Sequence, residues 1–349
     1  MSIPHSRPTL GPEEVRRVSA VIRSGRLAPG ELLQSFEQKF AGGMGGGYAA
    51  GVSSGTAALH LVLIAMGIGP GDEVVMPSYV CTALLNAVAY VGASPVLADI
   101  DPVTFNIDPA DAERRLTRRS RALIVPHMFG LPADMQRLTR LNVPIIEDCA
   151  QAVGSTCSGK PVGTFGRASI FSFYATKVIT TGEGGMVVSG SKEIIGRIKD
   201  LRSYDEKREY KTRYNYKMTD MQAALGLEQL KRLGAFIRSR RRIARHYDDF
   251  LKHLNITLPP AEPGRIYYRY VVGLESDSTE LIENLQENGI MCAKPVYRPL
   301  HRCLKQKGFT NTDKAWRNSI SLPIYPGLSR SDADRMLTIF LKCFKGVGR

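Results

Sequence analysis

Phe171-Ser172-Phe173-Tyr174-Ala175-Thr176-Lys177, followed closely by Gly182-Glu183-Gly184-Gly185, is the stretch on which the reading of this chain turns. Before Thr176 the side chains alternate. Ile170, Ser172 and Tyr174 point one way and Phe171 and Phe173 the other, the period-two pattern of a half-buried strand. Lys177 falls just past that strand, where the chain begins to turn. The glycine cluster permits a tight turn before a second strand, Met186 to Ser189. A lysine fixed at a strand end against an apolar wall suits a Schiff-base role, which needs a neutral amine to attack a carbonyl. Taken alone, the stretch is more simply a core strand followed by a surface lysine, and only other segments can reverse that choice.

The whole chain sets the bounds. Its 349 residues can bury a large core and predict two domains. Hydrophobic residues make up 43% and charged residues 23%, the balance of an ordinary water-soluble globule rather than a disordered or membrane chain. Cys81, Cys149, Cys157, Cys292, Cys303 and Cys343 form no C-x-x-C pair and no short metal-ligand spacing, so free thiols in a reducing compartment are expected, and no metal. Residues 1–11 hold no apolar core and no cleavage signal, and the longest apolar stretch, Leu59 to Met66, is too short to span a bilayer. The expectation is a cytoplasmic protein with no membrane partner. The net charge of +14 suggests an anionic partner: a phosphorylated small molecule, a membrane surface or nucleic acid. The densest basic run, Arg238 to Arg245, lies in a helical pattern with Leu230, Leu233, Phe236, Ile237 and Ile243 on its apolar side. A solvated helix face accounts for that run, and no nucleic-acid motif accompanies it.

In chain order, Pro12 opens a helix to about Ser24, closed by Gly25, and a second helix runs from about Glu31 to Phe40. Tyr48 to Val52 is a strand, Ser53-Ser54-Gly55-Thr56 a small polar turn, and Ala57 to Met66 a helix. That geometry offers free backbone N–H groups and a positive dipole end to an anion, although a plain helix cap has the same pattern. Glu73 to Met76, Ser94 to Asp99, Ala122 to Pro126 and Pro144 to Asp148 read as strands. Helices separate them, one from about Tyr79 to Val91 and one opening at Asp108-Pro109. The alternation argues for an α/β fold with a mostly parallel central sheet flanked by helices. Glu147 and Asp148 stand at the carboxyl end of their strand, where open α/β sheets bind ligands. Gln151, three residues on, falls on the same side of a helical turn. By itself this stretch is equally a helix cap or an exposed acid pair.

Farther along, Ile194 to Ser203 is helical, and Asp205 to Lys217 is long, polar and rich in tyrosine, as a projecting loop would be. Thr219 to Arg245 is strongly helical, with a bend expected near Gly234. Ile266 to Gly273 and Ile290 to Pro295 read as strands. Ser278 to Asn288 and Ser331 to Phe344 read as helices, the last with Ser331 and Asp334 as a capping pair. Residues 1–245 are read as a large domain and 246–349 as a smaller α+β domain.

Four weak signals thus agree: an anion cradle at Ser54-Gly55-Thr56, an acid at a strand end, a strand hydroxyl at Ser172, and Lys177. Pyridoxal phosphate needs this set, since it takes a phosphate cradle, a carboxylate against its pyridine nitrogen and a lysine for its aldehyde. In these stretches, together with Glu147-Asp148-Cys149-Ala150-Gln151 and Asn215-Tyr216-Lys217-Met218, the chain resembles the DegT/DnrJ-type sugar aminotransferases over nearly its whole length. These are a branch of the aspartate-aminotransferase (fold type I) superfamily. The resemblance implies that residues 1–245 are the large pyridoxal-phosphate-binding domain. It implies that Lys177 bonds the cofactor aldehyde and shuttles a proton, that Asp148 pairs with the pyridine nitrogen, and that Gln151 meets the phenolic oxygen or ring edge. Gly55, Thr56, Ala57 and Ser172 would hold the phosphate. Asn215 would reach it from the partner subunit of a homodimer with shared active sites. Tyr297 and His301, with Glu183, would border the substrate. The implied reaction takes an amino group from an amino-acid donor, glutamate, to a nucleotide-linked keto sugar, as in polysaccharide biosynthesis.

The chain departs from the family pattern in places. An aromatic ring commonly lies over the cofactor from the segment after Pro77; here Cys81 stands at that position with Tyr79 two residues earlier, and either is a candidate to face the ring. Position 57 is Ala where many members carry Asp, and Lys217 stands where Arg is common. Tyr204 to Lys211 is unlike the usual family loop. Related sugar dehydratases place a histidine at the lysine position, and Lys177 argues against that class. A non-sugar cyclic keto substrate stays open. A DNA-binding regulator, suggested by the arginine run, would bind DNA in a salt-sensitive way and carry no chromophore.

Overall fold

The structure, a computed structural model, describes residues 2–347. The helices are α1 (Pro12–Ser24), α2 (Glu31–Gly43), α3 (Gly55–Ala65), α4 (Ala83–Tyr90), α5 (Pro109–Arg115), α6 (Met135–Leu138), α7 (Lys192–Leu201), α8 (Asp220–Leu251), α9 (Thr279–Glu287), α10 (Leu300–Cys303), α11 (Thr310–Asn318) and α12 (Arg330–Val347). The strands are β1 (Tyr48–Val52), β2 (Glu73–Pro77), β3 (Ser94–Ala98), β4 (Ser120–Pro126), β5 (Ile145–Asp148), β6 (Thr156–Cys157), β7 (Lys160–Pro161), β8 (Ala168–Ser172), β9 (Gly185–Ser189), β10 (Tyr270–Gly273) and β11 (Ser319–Leu322). Local chemistry sets several ends. Pro12 occupies the first turn of α1, where its missing N–H costs nothing, and Gly25 closes that helix in the left-handed conformation at φ 69°. Thr219 and Gln222 cap α8 reciprocally.

Seven strands form the central sheet in the order β1-β9-β8-β5-β4-β2-β3. Only β9 runs against the others, pairing antiparallel with β8 and β1. The sheet is thus mostly parallel with helices on its faces, and its strands are nearly continuous apolar runs because both faces are covered. The antiparallel pair β10–β11 forms a second, smaller layer. Around it α9, α12 and the last turns of α8 bury Tyr247, Leu251, Leu285, Leu337 and Phe340. Ile3 belongs to that layer too, bridging to Ile290. No helix among the described residues is long and apolar enough to cross a membrane.

Several expectations change. The strand before Lys177 is not half-buried: β8 is flanked by β5 and β9 and buried along its length, and it ends at Ser172, which leaves Tyr174 outside it and exposed. α4 begins at Ala83 because Ser78 is held as a strand extension, its amide on the Ala98 carbonyl and its own carbonyl accepting from Leu300. Gly234 does not bend α8, which runs unbroken from 220 to 251. The expected strand from Ile266 shortens to β10 because Tyr267 takes a left-handed φ of 54°. Residues 290–295 contribute only isolated bridges, to Ile3 and Ser321. α12 is capped by the Ser329 hydroxyl, which accepts from the Asp332 amide, two residues earlier than the pair Ser331 and Asp334. The arginine run is not all solvated: Arg240 is buried, and Arg241 binds the carbonyls of Arg265 and Pro263.

Candidate active site

The six co-directional strands end at one edge of the sheet, and the candidate groups gather there. β1 leads through Ser53-Ser54 into α3, which Ser54 caps by accepting from the Ala57 amide at 3.0 Å. The amides of Gly55 and Thr56, and the hydroxyls of Thr56 and Ser172, bond to nothing among the described residues. They converge, because a Cβ built on Gly55 would stand 2.9 Å from the Ser172 Cβ and 3.3 Å from its hydroxyl. A side chain on Gly185, where β9 starts, would overlap the Ser54 carbonyl. Four unused donors at a helix N-terminus beside a strand end suit a phosphate dianion. Ala57 is not one of them. Its amide is spent on Ser54 and its methyl is buried, so the donors at this cradle are those of Gly55, Thr56 and Ser172.

Beyond β8 the chain folds over itself. The Lys177 amide donates to the Tyr174 carbonyl at 2.9 Å, and the Phe173 amide donates to the Gly184 carbonyl at 2.8 Å. Lys177 is therefore half-buried on a closed loop, opposite the Gly182–Gly185 turn. Its Nζ lies 5.2 Å from the ring centre of Tyr268. Asp148 ends β5, the strand paired directly with β8. One carboxylate oxygen accepts from the Ala150 amide at 2.9 Å, and the other has no partner among the described residues. Burial pushes this carboxyl above its usual range, while Ala150, Lys177 and His127 pull the other way. A buried acid with a free oxygen and a raised pKa is poised for a cationic ligand atom. Gln151 is fixed by its own carbonyl oxygen, which accepts from the Phe129 amide at 2.9 Å, and its amide nitrogen has no partner among the described residues. Glu183 is exposed at the turn, with its backbone carbonyl held by Thr181 and Gln222.

Other expected residues are placed differently. Tyr79 is fully buried against Phe105 and Phe129, so it cannot lie over a cofactor; Cys81 is the one exposed. His301 turns inward, with Nδ1 2.7 Å from the Ser78 hydroxyl, Nε2 3.3 Å from Asp313 and its ring stacked on Phe309. It pins the 296–301 stretch to the loop after β2 instead of touching a substrate. Tyr297 is 93% exposed. Asn215 is exposed, and its side chain has no hydrogen-bond partner among the described residues. Its neighbours fix it: Ser53 donates to the Tyr216 carbonyl, and Tyr214 and Tyr216 donate to Leu201 and Arg202. At the base of the preceding loop, Asp200 gathers Lys207, Lys211 and Arg213. Tyr268, inside the segment expected to be a strand from Ile266, also faces Lys177. The run Tyr267-Tyr268-Arg269-Tyr270 was the available signal.

The sheet with its one reversed strand, and the solved structures on which the chain superimposes, make this a pyridoxal-phosphate-dependent aminotransferase. The model of the DegT/DnrJ/EryC1/StrS aminotransferase family matches residues 8–340, and the chain belongs to that family. The GDP-perosamine synthase of Caulobacter vibrioides is 38% identical over 330 residues, 88% of this chain and 89% of that one. The GDP-perosamine synthase of Escherichia coli O157:H7 is 36% identical, covering 94% of each. The aminotransferase TlmJ from Streptoalloteichus hindustanus superimposes with a TM-score of 0.94 at 32% identity, over 99% of this chain and 100% of that one. Spr1654 from Streptococcus pneumoniae, in its PLP form, does so with a TM-score of 0.94 at 26% identity over the same shares. Pyridoxal phosphate is the cofactor, and the unused donors at Gly55, Thr56 and Ser172 fit its phosphate. When bound, it supplies an aldehyde that condenses with amines and a ring that takes up electrons from a breaking bond.

Proposed function

We propose that the protein moves an amino group from glutamate to a nucleotide-linked keto sugar. In this reading Lys177 Nζ bonds the cofactor and later carries a proton at the substrate carbon. Asp148 keeps the pyridine nitrogen protonated. Gly55, Thr56 and Ser172 hold the phosphate, and Gln151 orients the ring edge. Cys81 is the exposed neighbour of the ring, Glu183 and Tyr297 meet the sugar nucleotide, and Asn215 completes the site of the partner in a homodimer. Three features support it: Lys177 and Asp148 share one sheet edge with the cradle, two relatives are GDP-perosamine synthases, and the net charge of +14 suits a diphosphate-bearing substrate.

The test is a screen of nucleotide keto sugars with glutamate, following release of 2-oxoglutarate, alongside borohydride fixation and peptide mapping. Turnover of at least one keto sugar is expected, with the pyridoxyl label on Lys177 and none of either in Lys177→Ala. Normal turnover by Lys177→Ala would overturn the assignment. Turnover of only a non-sugar cyclic ketone would shift the substrate class.

A further inference from the structure

The one tryptophan of the chain, Trp316 on α11, stands in a basic recess of about 710 Å³ whose walls include Tyr297, Arg298, Arg302, Lys305 and Lys307. Two ties hold this recess at the carboxyl edge of the sheet. The carbonyl of Ser78, just past β2, accepts from the Leu300 amide at 2.8 Å. Asp99, just past β3, accepts from the amides of Asn311 and Thr312 at 2.9 Å and so docks α11. Neighbouring strands stand about 4.8 Å apart, so the exits of β2 and β3 lie about 10 and 14 Å along the edge from that of β5, which Asp148 closes. That is the reach of a hexose and its diphosphate. The charge of the recess is unbalanced. Arg302 donates Nε and Nη2 to Asp313 at 2.9 and 2.6 Å, but Arg298, Lys305 and Lys307 pair with no carboxylate among the described residues. Four cations therefore face one acid, and their field draws a polyanion. The rings are held open beside them. The Trp316 indole N–H donates to the Tyr297 carbonyl at 3.0 Å, the Arg302 guanidinium lies 4.0 Å from the Trp316 ring centre, and the Tyr297 side chain is left exposed. An exposed ring on a fixed backbone offers a flat face on which a nucleobase stacks.

We propose that this recess is a nucleoside-diphosphate subsite: Arg298, Lys305 and Lys307 bind the diphosphate, Tyr297 stacks on the base, and the sugar extends along the sheet edge toward Lys177. Both halves of that ligand are needed to use the recess. A free phosphate would leave the tyrosine face idle, and an apolar ligand would leave three cations uncompensated. Arg302, already spent on Asp313 and stacked on Trp316, is the wall that positions the others, and its carbonyl accepts from Arg298 Nη2 at 3.2 Å. The inference rests on the substrate being a nucleotide-linked sugar.

Trp316 reports on the recess directly, because no other tryptophan contributes to the emission. In the cofactor-loaded full chain, titration with GDP, UDP, CDP and dTDP should change that emission saturably for at least one of them, after correction for absorption with a free tryptophan derivative. With the tightest of the four as probe, Arg298→Ala and Lys307→Ala should each raise Kd about tenfold, and should weaken inorganic diphosphate as well. Tyr297→Ala should weaken the nucleoside diphosphate about tenfold and leave inorganic diphosphate unaltered. Emission indifferent to all four nucleotides, or Kd values that none of the three substitutions moves, would overturn the subsite; the wild-type titration decides even if a variant does not fold. Failure of the substrate reading has a separate mark, saturable nucleotide binding with no nucleotide keto sugar turned over. Turnover of a nucleotide keto sugar with a silent Trp316 overturns the subsite alone.

Discussion

Glu147 and Asp148 are adjacent carboxylates with opposite environments, and the contrast identifies which one is free to meet a ligand. Glu147 is fully buried yet accepts from Gly163, Phe165 and Gly166 at 2.6–2.7 Å and from His127 at 3.2 Å. Burial alone would raise it, but these donors hold it below the ordinary range. Asp148 has one protein donor and is raised by burial. The signs follow. The lowered Glu147 contributes stability that is present above its unfolded pKa and is lost as pH falls through its folded value. The raised Asp148 weakens the cofactor-free fold as pH rises through its folded value, because the native state holds the proton longer than the unfolded one. Glu147→Gln is therefore expected to cost about 2 kcal/mol or more in denaturant unfolding at pH 7, since its amide presents hydrogens to amide donors. Asp148→Asn should leave the cofactor-free protein as stable or more so at pH 7, yet weaken cofactor retention about tenfold or more, measured by dialysis and absorbance. A destabilised Asp148→Asn with unaltered retention would contradict this division.

The elements behave as their packing dictates, and glycines in α8 show how. Gly234 is exposed, and the nearest atom to an added Cβ is the end of the Arg238 side chain at 3.4 Å. Gly226 faces the ring of Phe36 on α2, whose atoms would stand 2.6–2.7 Å from a Cβ. Gly234→Ala should thus stabilise by about 1 kcal/mol through helix propensity, whereas Gly226→Ala should destabilise by about 1–3 kcal/mol through overpacking. Equal effects in chemical denaturation would mean that α8 is not docked on α2 as seen. The sequence carries no way to tell these two glycines apart, because the ring that decides it, Phe36, is 190 positions from Gly226. The same reason hid the inward turn of His301 and Tyr79, whose partners come from Ser78, Asp313, Phe105 and Phe129. What was legible depended on local pattern: the turn into α3, the acid closing β5, the lysine after β8 and the glycines before β9. Those features are fixed within a few residues by strand ends and positive φ. Strand length between 266 and 273 was not, since a left-handed Tyr267 leaves no trace in an apolar run.

At the scale of the whole molecule, the role proposed for Asn215 requires a second copy of the chain. Its flanking tyrosines are tied to α7 and to the strand exit at Ser53, so the segment is anchored while the amide itself has no partner among the described residues. An exposed amide on an anchored strip beside the exit of β1 stands where a neighbouring subunit could receive it. If that neighbour's cofactor phosphate is the receiver, Asn215→Ala alone should weaken cofactor retention, and Lys177→Ala alone should abolish transfer. In a mixture of the two, unfolded and refolded together so that subunits exchange, each mixed dimer regains one intact site. Random pairing makes half the dimers mixed, so activity should return to about a quarter of the wild-type level. Each variant refolded alone gives the baseline. A mixture no more active than the sum of its parts would place Asn215 in its own subunit's chemistry or in none.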